Sequence, residues 1–241
     1  MLTKRPFLWA ALLLAACVVA LPYSTPLFAS LFPQLDRPLY TQESFAWLLW
    51  QHVLLVGASS LLAVVAGTAV GIAITRSSGQ SFKPLIESVL ATSQSVPPVA
   101  VLALAVPVVG FGELPALLAL ALYGLLPVVQ GTVSGLQDVP ALQRQAALSL
   151  GLSGNQSLRY IGIPLALPVW LSGVRTSIII NIGTAAIAST VGAKTLGSPI
   201  IVGLSGFNTA YILQGALVLA LLAVTVDMAF EVLARRLAWR G

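Results

Sequence analysis

The sequence predicts an all-α membrane protein of about six spanning helices, and three observations carry that prediction. Only 8% of the 241 residues are charged, 58% are hydrophobic, and the mean hydropathy is +0.96. Soluble domains carry about a quarter charged residues, so this chain cannot cover a surface facing water. Its apolar runs are long and lack the alternation of a membrane β-barrel. Lipid offers backbone groups no hydrogen bonds, which leaves helices as the spanning structure.

The predicted spans are Phe7–Leu21, Ser44–Thr75, Pro84–Val109, Leu114–Ser134, Leu165–Thr190 and Thr209–Leu233. The first is short for a bilayer crossing. It follows Lys4 and Arg5, and "LAAC" (Leu14–Cys17) resembles a lipoprotein cleavage box. A retained span is expected, because the second span must begin outside. The lone Cys17 permits no internal disulfide. Residues 22–43 are Pro-rich with scattered Leu27, Phe28, Leu31 and Phe32, which suits an interfacial segment outside the membrane. The chain divides into residues 1–43, a helix plus this segment, and residues 44–237, the main membrane domain.

Orientation follows from the basic residues. With both termini inside, the inner loops and ends hold Lys4, Arg5, Arg76, Lys83, Arg144, Arg159, Arg235, Arg236 and Arg240. The outer loops hold only Arg37 and Lys194, and Arg175 falls within the fifth span. This bias places the N- and C-termini in the cytoplasm. It also accounts for the net charge of +5 without a nucleic-acid partner. Trp47, Trp50 and Trp239 suit interfacial anchors.

Between the fourth and fifth spans the chain turns polar, through "ALQRQAALSLGLSGNQSLRYIGIP" (Ala141–Pro164). Asp138 and Pro140 mark a helix start. Leu142, Ala146 and Leu150 share one face, and Gly151 suits a left-handed C-cap. Ser153 followed by Gln156 is a capping-box pattern that starts a second helix. Gly162 and Pro164 are expected to end it near Ile161, before the chain re-enters the membrane. A DNA-reading helix-turn-helix has a similar outline. Here only Arg144 and Arg159 are basic and both ends run into spans, so no nucleic acid is expected.

"QAALSLGLSGNQSLRYIGIP" resembles the signature loop of ABC-importer permeases: E-A-A, three residues, G, nine residues, I-x-L-P. Gln145, Ala146, Ala147, Gly151, Ile161, Ile163 and Pro164 occupy the motif positions, preceded by Arg144. Gln145 replaces Glu, with loss of a negative charge, and Ile163 replaces Leu. From about His52 to Leu233 the chain resembles permeases of bacterial osmoprotectant importers, which move glycine betaine, choline and related quaternary amines. Its second half is most similar to the shorter permease of the enterobacterial glycine-betaine system.

The resemblance implies a type I ABC-importer transmembrane domain in the bacterial inner membrane, with residues 137–164 as a loop docking into a cytoplasmic ATPase dimer. It also implies a second permease, identical or paralogous, and a periplasmic substrate-binding protein. Membrane lipid surrounds the whole. A small-residue ridge of Ala146, Ala147 and Gly151 would let another protein approach closely. The permease itself would be non-catalytic and hold no cofactor, ATP being bound by the partner. "GAKT" (Gly192–Thr195) is no Walker A sequence, since Gly must directly precede Lys there.

The translocation path has fewer signals. "TSQSVPP" (Thr92–Pro98) sets Ser93, Gln94 and Ser95 beside Pro97 and Pro98 in the middle of the third span. Prolines free carbonyls and kink a helix, and such groups are tolerated only against protein or a water-filled cavity. The alternative is a packing kink whose hydroxyls bond their own backbone. Tyr123, Arg175 and Asn181 are further path candidates, and Gln214 a weaker one. Aromatic residues are scarce in mid-span, so tight gripping of a quaternary ammonium falls to a separate binding protein.

Two other readings compete: an ABC permease for another small solute, and an ion-coupled secondary carrier. The latter needs ionisable groups at depth. Asp227 with Glu231 and Arg235, and Glu87 with Lys83, read as interfacial charges; Arg175 either snorkels or pairs with Asp227. His52 reads as structural. Gly67–Gly71 and Gly131–Gly135 are G-x-x-x-G patterns expected to pack helices within the bundle.

Overall fold

The computed structural model describes residues 5–238, and Lys4, Trp239 and Arg240 lie outside them. The described residues form helices and loops without a strand. Five helices are long and apolar enough to cross a membrane: α1 (Arg5–Ala20, run on to Tyr23 by a 3₁₀ turn), α3 (Phe45–Thr75), α6 (Glu113–Gln137), α9 (Ile163–Ala185, with its upstream extension from Gly154) and α11 (Thr209–Ala238). A bent pair, α4 (Lys83–Ser95) and α5 (Pro98–Val109), brings the total to six if counted as one span. Shorter helices are α2 (Thr25–Leu31), α7 (Ala141–Ser149), α8 (Gly154–Ser157) and α10 (Ser198–Ser205).

α6 is the centre of the bundle. Two-thirds (67%) of its most apolar window is buried, against 11% for α11. Lipid gives helices no hydrophobic reason to associate, so close contact between small residues must supply the attraction. Gly67 and Gly71 of α3 face α6: a Cβ on Gly67 would stand 2.8 Å from the Val128 Cβ, and one on Gly71 would stand 2.6 Å from the Thr132 Cβ. Gly131 and Gly135 of α6 face α9 in the same way, at 2.9 Å from the Gly173 Cα and 2.8 Å from the Ala166 carbonyl. Both patterns therefore pack the chain against itself, as the sequence suggests.

The third span is broken rather than kinked, with α4 and α5 meeting at 95°. Val96 (φ −78°, ψ 127°) and Pro97 (φ −57°, ψ 136°) are extended, as residues before proline prefer. The fifth span also differs from expectation. α9 ends at Ala185, and a 3₁₀ turn (Ile187–Val191) leads into a loop and then α10. α10 packs on α11 and went unanticipated.

The segment after α1 is more firmly fixed than an interfacial stretch. Phe28 and Tyr40 are buried while Leu27 and Leu31 are exposed. Gln214 of α11, fully buried, straps this segment down: it accepts from the Tyr40 amide (3.0 Å) and donates to the Pro38 carbonyl (2.7 Å). Tyr40 also packs edge-on against Tyr211 and Phe45. Gln214 is thus a structural tie between α11 and this segment.

Candidate coupling segment and translocation path

α7 and α8 join α6 to α9. Asp138 ends α6 as its C-cap, so Pro140, with extended φ and ψ, takes the N-cap position of α7 instead. Gly151 turns left-handed (φ +71°) after α7, as expected. The Ser153–Gln156 capping box also forms: the Ser153 amide donates to Gln156 Oε1 at 2.8 Å, and the Gln156 amide to Ser153 Oγ at 3.4 Å.

The helix does not end at Gly162. It continues through a single π turn (Leu158–Gly162) into α9, the Ile163 amide donating to the Leu158 carbonyl. An α-turn there would drive the Pro164 ring into the Tyr160 carbonyl, and the wider π turn removes that clash. Sequence reasoning saw the proline and missed the relief.

α7 presents an unexpected face. Ala147 is fully buried within the chain, so it cannot belong to an outward ridge with Ala146 and Gly151, which are exposed. Leu142, Leu148 and Leu150 are each about three-quarters exposed (73%, 73% and 76%) on a helix whose residues are otherwise polar or small. Gln145 is exposed too, while Ile161 is half-buried and Ile163 exposed at 44%.

Two arginines fasten the segment to the spans. Arg144 Nη2 donates to the Leu136 and Gln137 carbonyls (3.0 and 2.6 Å), acceptors left open at the end of α6. Arg76, the C-cap of α3, donates to Asn155 Oδ1 of α8 at 2.8 Å. Neither link was anticipated; a charged residue at a helix end facing unpaired carbonyls was the available signal for Arg144.

At the break in the third span, Gln94 Nε2 donates to the Tyr123 carbonyl (2.9 Å) and the Tyr123 hydroxyl donates to the Val96 carbonyl. α6 thus braces the break from both sides. Tyr123 is itself buried, so it braces rather than lines. Thr92, Ser93 and Ser95 bond back to Ser88, Leu90 and Ala91 carbonyls, as the packing alternative supposes. Ser95 and Pro97 are exposed, and Ser93, Gln94 and Pro98 half-buried.

Arg175 and Asp227 pair across α9 and α11 through two contacts of 2.6 Å, a bidentate ion pair with both side chains partly exposed. This settles the choice between snorkelling and pairing. Lys83–Glu87 and Glu231–Arg235 are i, i+4 pairs. His52 is fully buried, accepting from the Leu196 amide at Nδ1 (3.4 Å), which leaves Nε2 to donate to the Ile182 carbonyl (3.1 Å). Asn181 is also fully buried, donating to Ser60 Oγ at 3.0 Å. It lies inside the α3–α6–α9 core, where its Oδ1 and the neighbouring Ser177 Oγ have no hydrogen-bond partner among the described residues.

On the opposite side of the bundle from the coupling segment, Glu43 accepts from Lys194 Nζ (2.6 Å) and from the Tyr40 hydroxyl. Burial alone would raise the Glu43 carboxyl, but the Lys194 ammonium and the Tyr40 hydroxyl outweigh it and hold it below its ordinary 4.5. Burial and the Glu43 carboxylate push the Tyr40 phenol up. Thr195, the last residue of "GAKT", is fully buried and donates to the Ala185 carbonyl at 3.1 Å, which leaves it unavailable to a phosphate.

Known structures share this architecture. The methionine ABC transporter MetNI, in an inward-facing conformation, superposes with a TM-score of 0.72 at 20% identity, over 82% of this chain and 99% of that one. An amino acid ABC transporter crystallised with histidines gives 0.67 at 21% identity, over 80% and 93%. The fold is therefore that of an ABC-importer transmembrane domain.

Residues 63–239 match the family described as binding-protein-dependent transport system inner membrane component, and the chain belongs to it. Among similar proteins are the osmoprotectant import permease protein OsmY of Salmonella typhimurium, 36% identical over 82% of this chain and 84% of its own length, and the glycine betaine/carnitine/choline transport system permease protein OpuCB of Bacillus subtilis, 34% identical over 76% and 85%.

Proposed function

We propose that this chain is the permease subunit of an ATP-driven importer for osmoprotectants such as glycine betaine, carnitine or choline, in the bacterial inner membrane with both termini cytoplasmic. The relatives' substrates support the solute class. The observation that carries the mechanism is the exposure of Leu142 and Leu148 on α7 and of Leu150 at its C-cap, around a helix whose one buried residue is Ala147. Exposed leucines on a short helix outside the membrane mark a protein-docking surface. A cytoplasmic ATPase is the partner assigned to it, and it supplies ATP binding and hydrolysis, so this chain acts without a cofactor and catalyses nothing itself.

Docking would be transmitted to the bundle through Arg76, Arg144 and the unbroken α8–α9 helix. The braced break of Ser95–Pro97 belongs to the path, along with the half-buried Ser93, Gln94 and Pro98. A second permease, identical or paralogous, completes that path, and a periplasmic binding protein delivers the solute. An ion-coupled carrier fits less well, because Arg175 and Asp227 neutralise each other and His52 is engaged at both ring nitrogens.

The test is uptake of radiolabelled glycine betaine, carnitine and choline by vesicles carrying the chain with its co-purifying ATPase. Uptake that requires ATP and survives a protonophore is expected. ATP-independent uptake abolished by the protonophore overturns the reading, and ATP-driven uptake of an unrelated solute overturns the substrate class.

A further inference from the structure

We propose that α3, α6 and α9 form a binding site for one anionic phospholipid at the membrane face carrying the coupling segment. The phosphate sits between Arg76 and Arg144, and an acyl chain lies along Thr68, Ile72 and Trp170. Two adjoining hollows make up the site.

The head hollow, of about 350 Å³, is walled by Arg76 and Ser77 beyond α3, Arg144 of α7, and Ser157 of α8. No carboxylate lines it, and neither guanidinium has an acidic partner among the described residues. Each arginine has five donors, and the bonds to Asn155, Leu136 and Gln137 are to neutral acceptors. Two arginines without a carboxylate partner thus line one hollow at the ends of α3 and α6, at the bilayer edge where anionic lipid phosphates reside.

The tail hollow, of about 160 Å³, continues from it. Leu136 lines both, Ile163 follows Gly162, and Ile72 lies one turn before Arg76. Thr132 Oγ1 donates to the Val128 carbonyl (2.7 Å) and Thr68 Oγ1 accepts from Trp170 Nε1 (2.9 Å), and the rest of the wall is apolar side chains. At 1.5 Å per residue the groove runs about 12 Å along α3 from Arg76 to Thr68, and about 18 Å along α9 from Leu158 to Trp170. Half the hydrocarbon core is about 15 Å, so the groove matches one leaflet. Charge at one end and apolar length at the other select a phospholipid with a net negative headgroup. This assignment is independent of the transported solute.

The test is native mass spectrometry of the chain released from nanodiscs of equimolar phosphatidylglycerol and phosphatidylethanolamine. Wild type is expected to retain phosphatidylglycerol about tenfold over the zwitterionic lipid, given two arginines at the headgroup. Arg76→Gln should bring that ratio close to one. So should Ser77→Glu, which sets a carboxylate in the wall to neutralise the arginines without removing either. Ile72→Trp, filling the tail hollow, should lose both lipids. Equal retention of the two lipids by wild type, a preference that survives Ser77→Glu, or cross-linking of Ile72→Cys to a second copy in place of lipid would each overturn the site.

Discussion

The Arg175–Asp227 pair permits a double-mutant cycle whose outcome depends on its depth. Measured from the span ends read in the sequence, Arg175 lies about 15 Å along α9 from Leu165 and Asp227 about 9 Å along α11 from Leu233, at 1.5 Å per residue. Both charges therefore fall within the hydrocarbon region, where an unpaired Arg or Asp costs about 2.5–3.5 kcal/mol on insertion scales. Asp227 lies towards the inner edge of its span, where snorkelling and water penetration reduce this to roughly 2 kcal/mol. Asp227→Asn strands the guanidinium and should cost about 2 kcal/mol. Arg175→Met should cost less, about 1 kcal/mol, because a lone carboxyl can take up a proton. Removing both in Arg175→Met/Asp227→Leu strands no charge and should return to within about 1 kcal/mol of wild type. Thermal unfolding in nanodiscs reads this at about 2–4 °C per kcal/mol. A double variant less stable than either single one would refute the reasoning, since it would mean that the charges act separately.

Three further outcomes follow from local geometry. At Gly151 a Cβ meets nothing within 4 Å, so any cost of substitution is backbone alone. Gly151→Val should cost about 1–2 kcal/mol and lower solute transported per ATP hydrolysed, whereas Gly151→Asn, which tolerates the left-handed region, should preserve it; equal coupling in the two would remove the φ argument. Tyr123→Phe frees the Val96 carbonyl at a cost of about 1 kcal/mol, and hydrogen exchange at residues 99–101 should quicken while the α6 amides hold. Because the Glu43 carboxyl is held below its unfolded value, its tie is fully present above about pH 4.5 and is lost as pH falls through the lower folded value. Glu43→Gln should abolish that acid sensitivity of segment 32–43, read by limited proteolysis.

What the sequence made legible was short-range. Gly151 and the Ser153–Gln156 box depend on neighbours within one turn, and both formed as read. The two glycine patterns were also readable, because a small residue every fourth position marks a helix seam whichever partner fills it. Facing directions were not readable. Leu142, Ala146 and Leu150 share a stripe on paper, yet only the packing beneath α7 decides that Ala147 points inward and the leucines outward. Asn181 and Tyr123 suggested a path because they are polar or aromatic in apolar surroundings, but their hydrogen bonds to neighbouring helices depend on partners far away in sequence and were not readable. α10 escaped because eight residues between two spans carry too little hydropathy signal, although Ser198–Pro199 before an apolar run resembles a helix start.

The π turn at Leu158–Gly162 has a geometric consequence for the rest of the molecule. With no hinge between them, α8 and α9 form one rod from Gly154 to Ala185, 32 residues and therefore about 48 Å long. A rod pivoting at one end sweeps its other end through an arc proportional to its length, so a tilt of about 10° at Gly154 displaces Ala185 by about 8 Å. Ala185 borders the loop that carries Lys194 and α10, so a small rotation at one membrane face becomes a displacement of many atomic radii at the other.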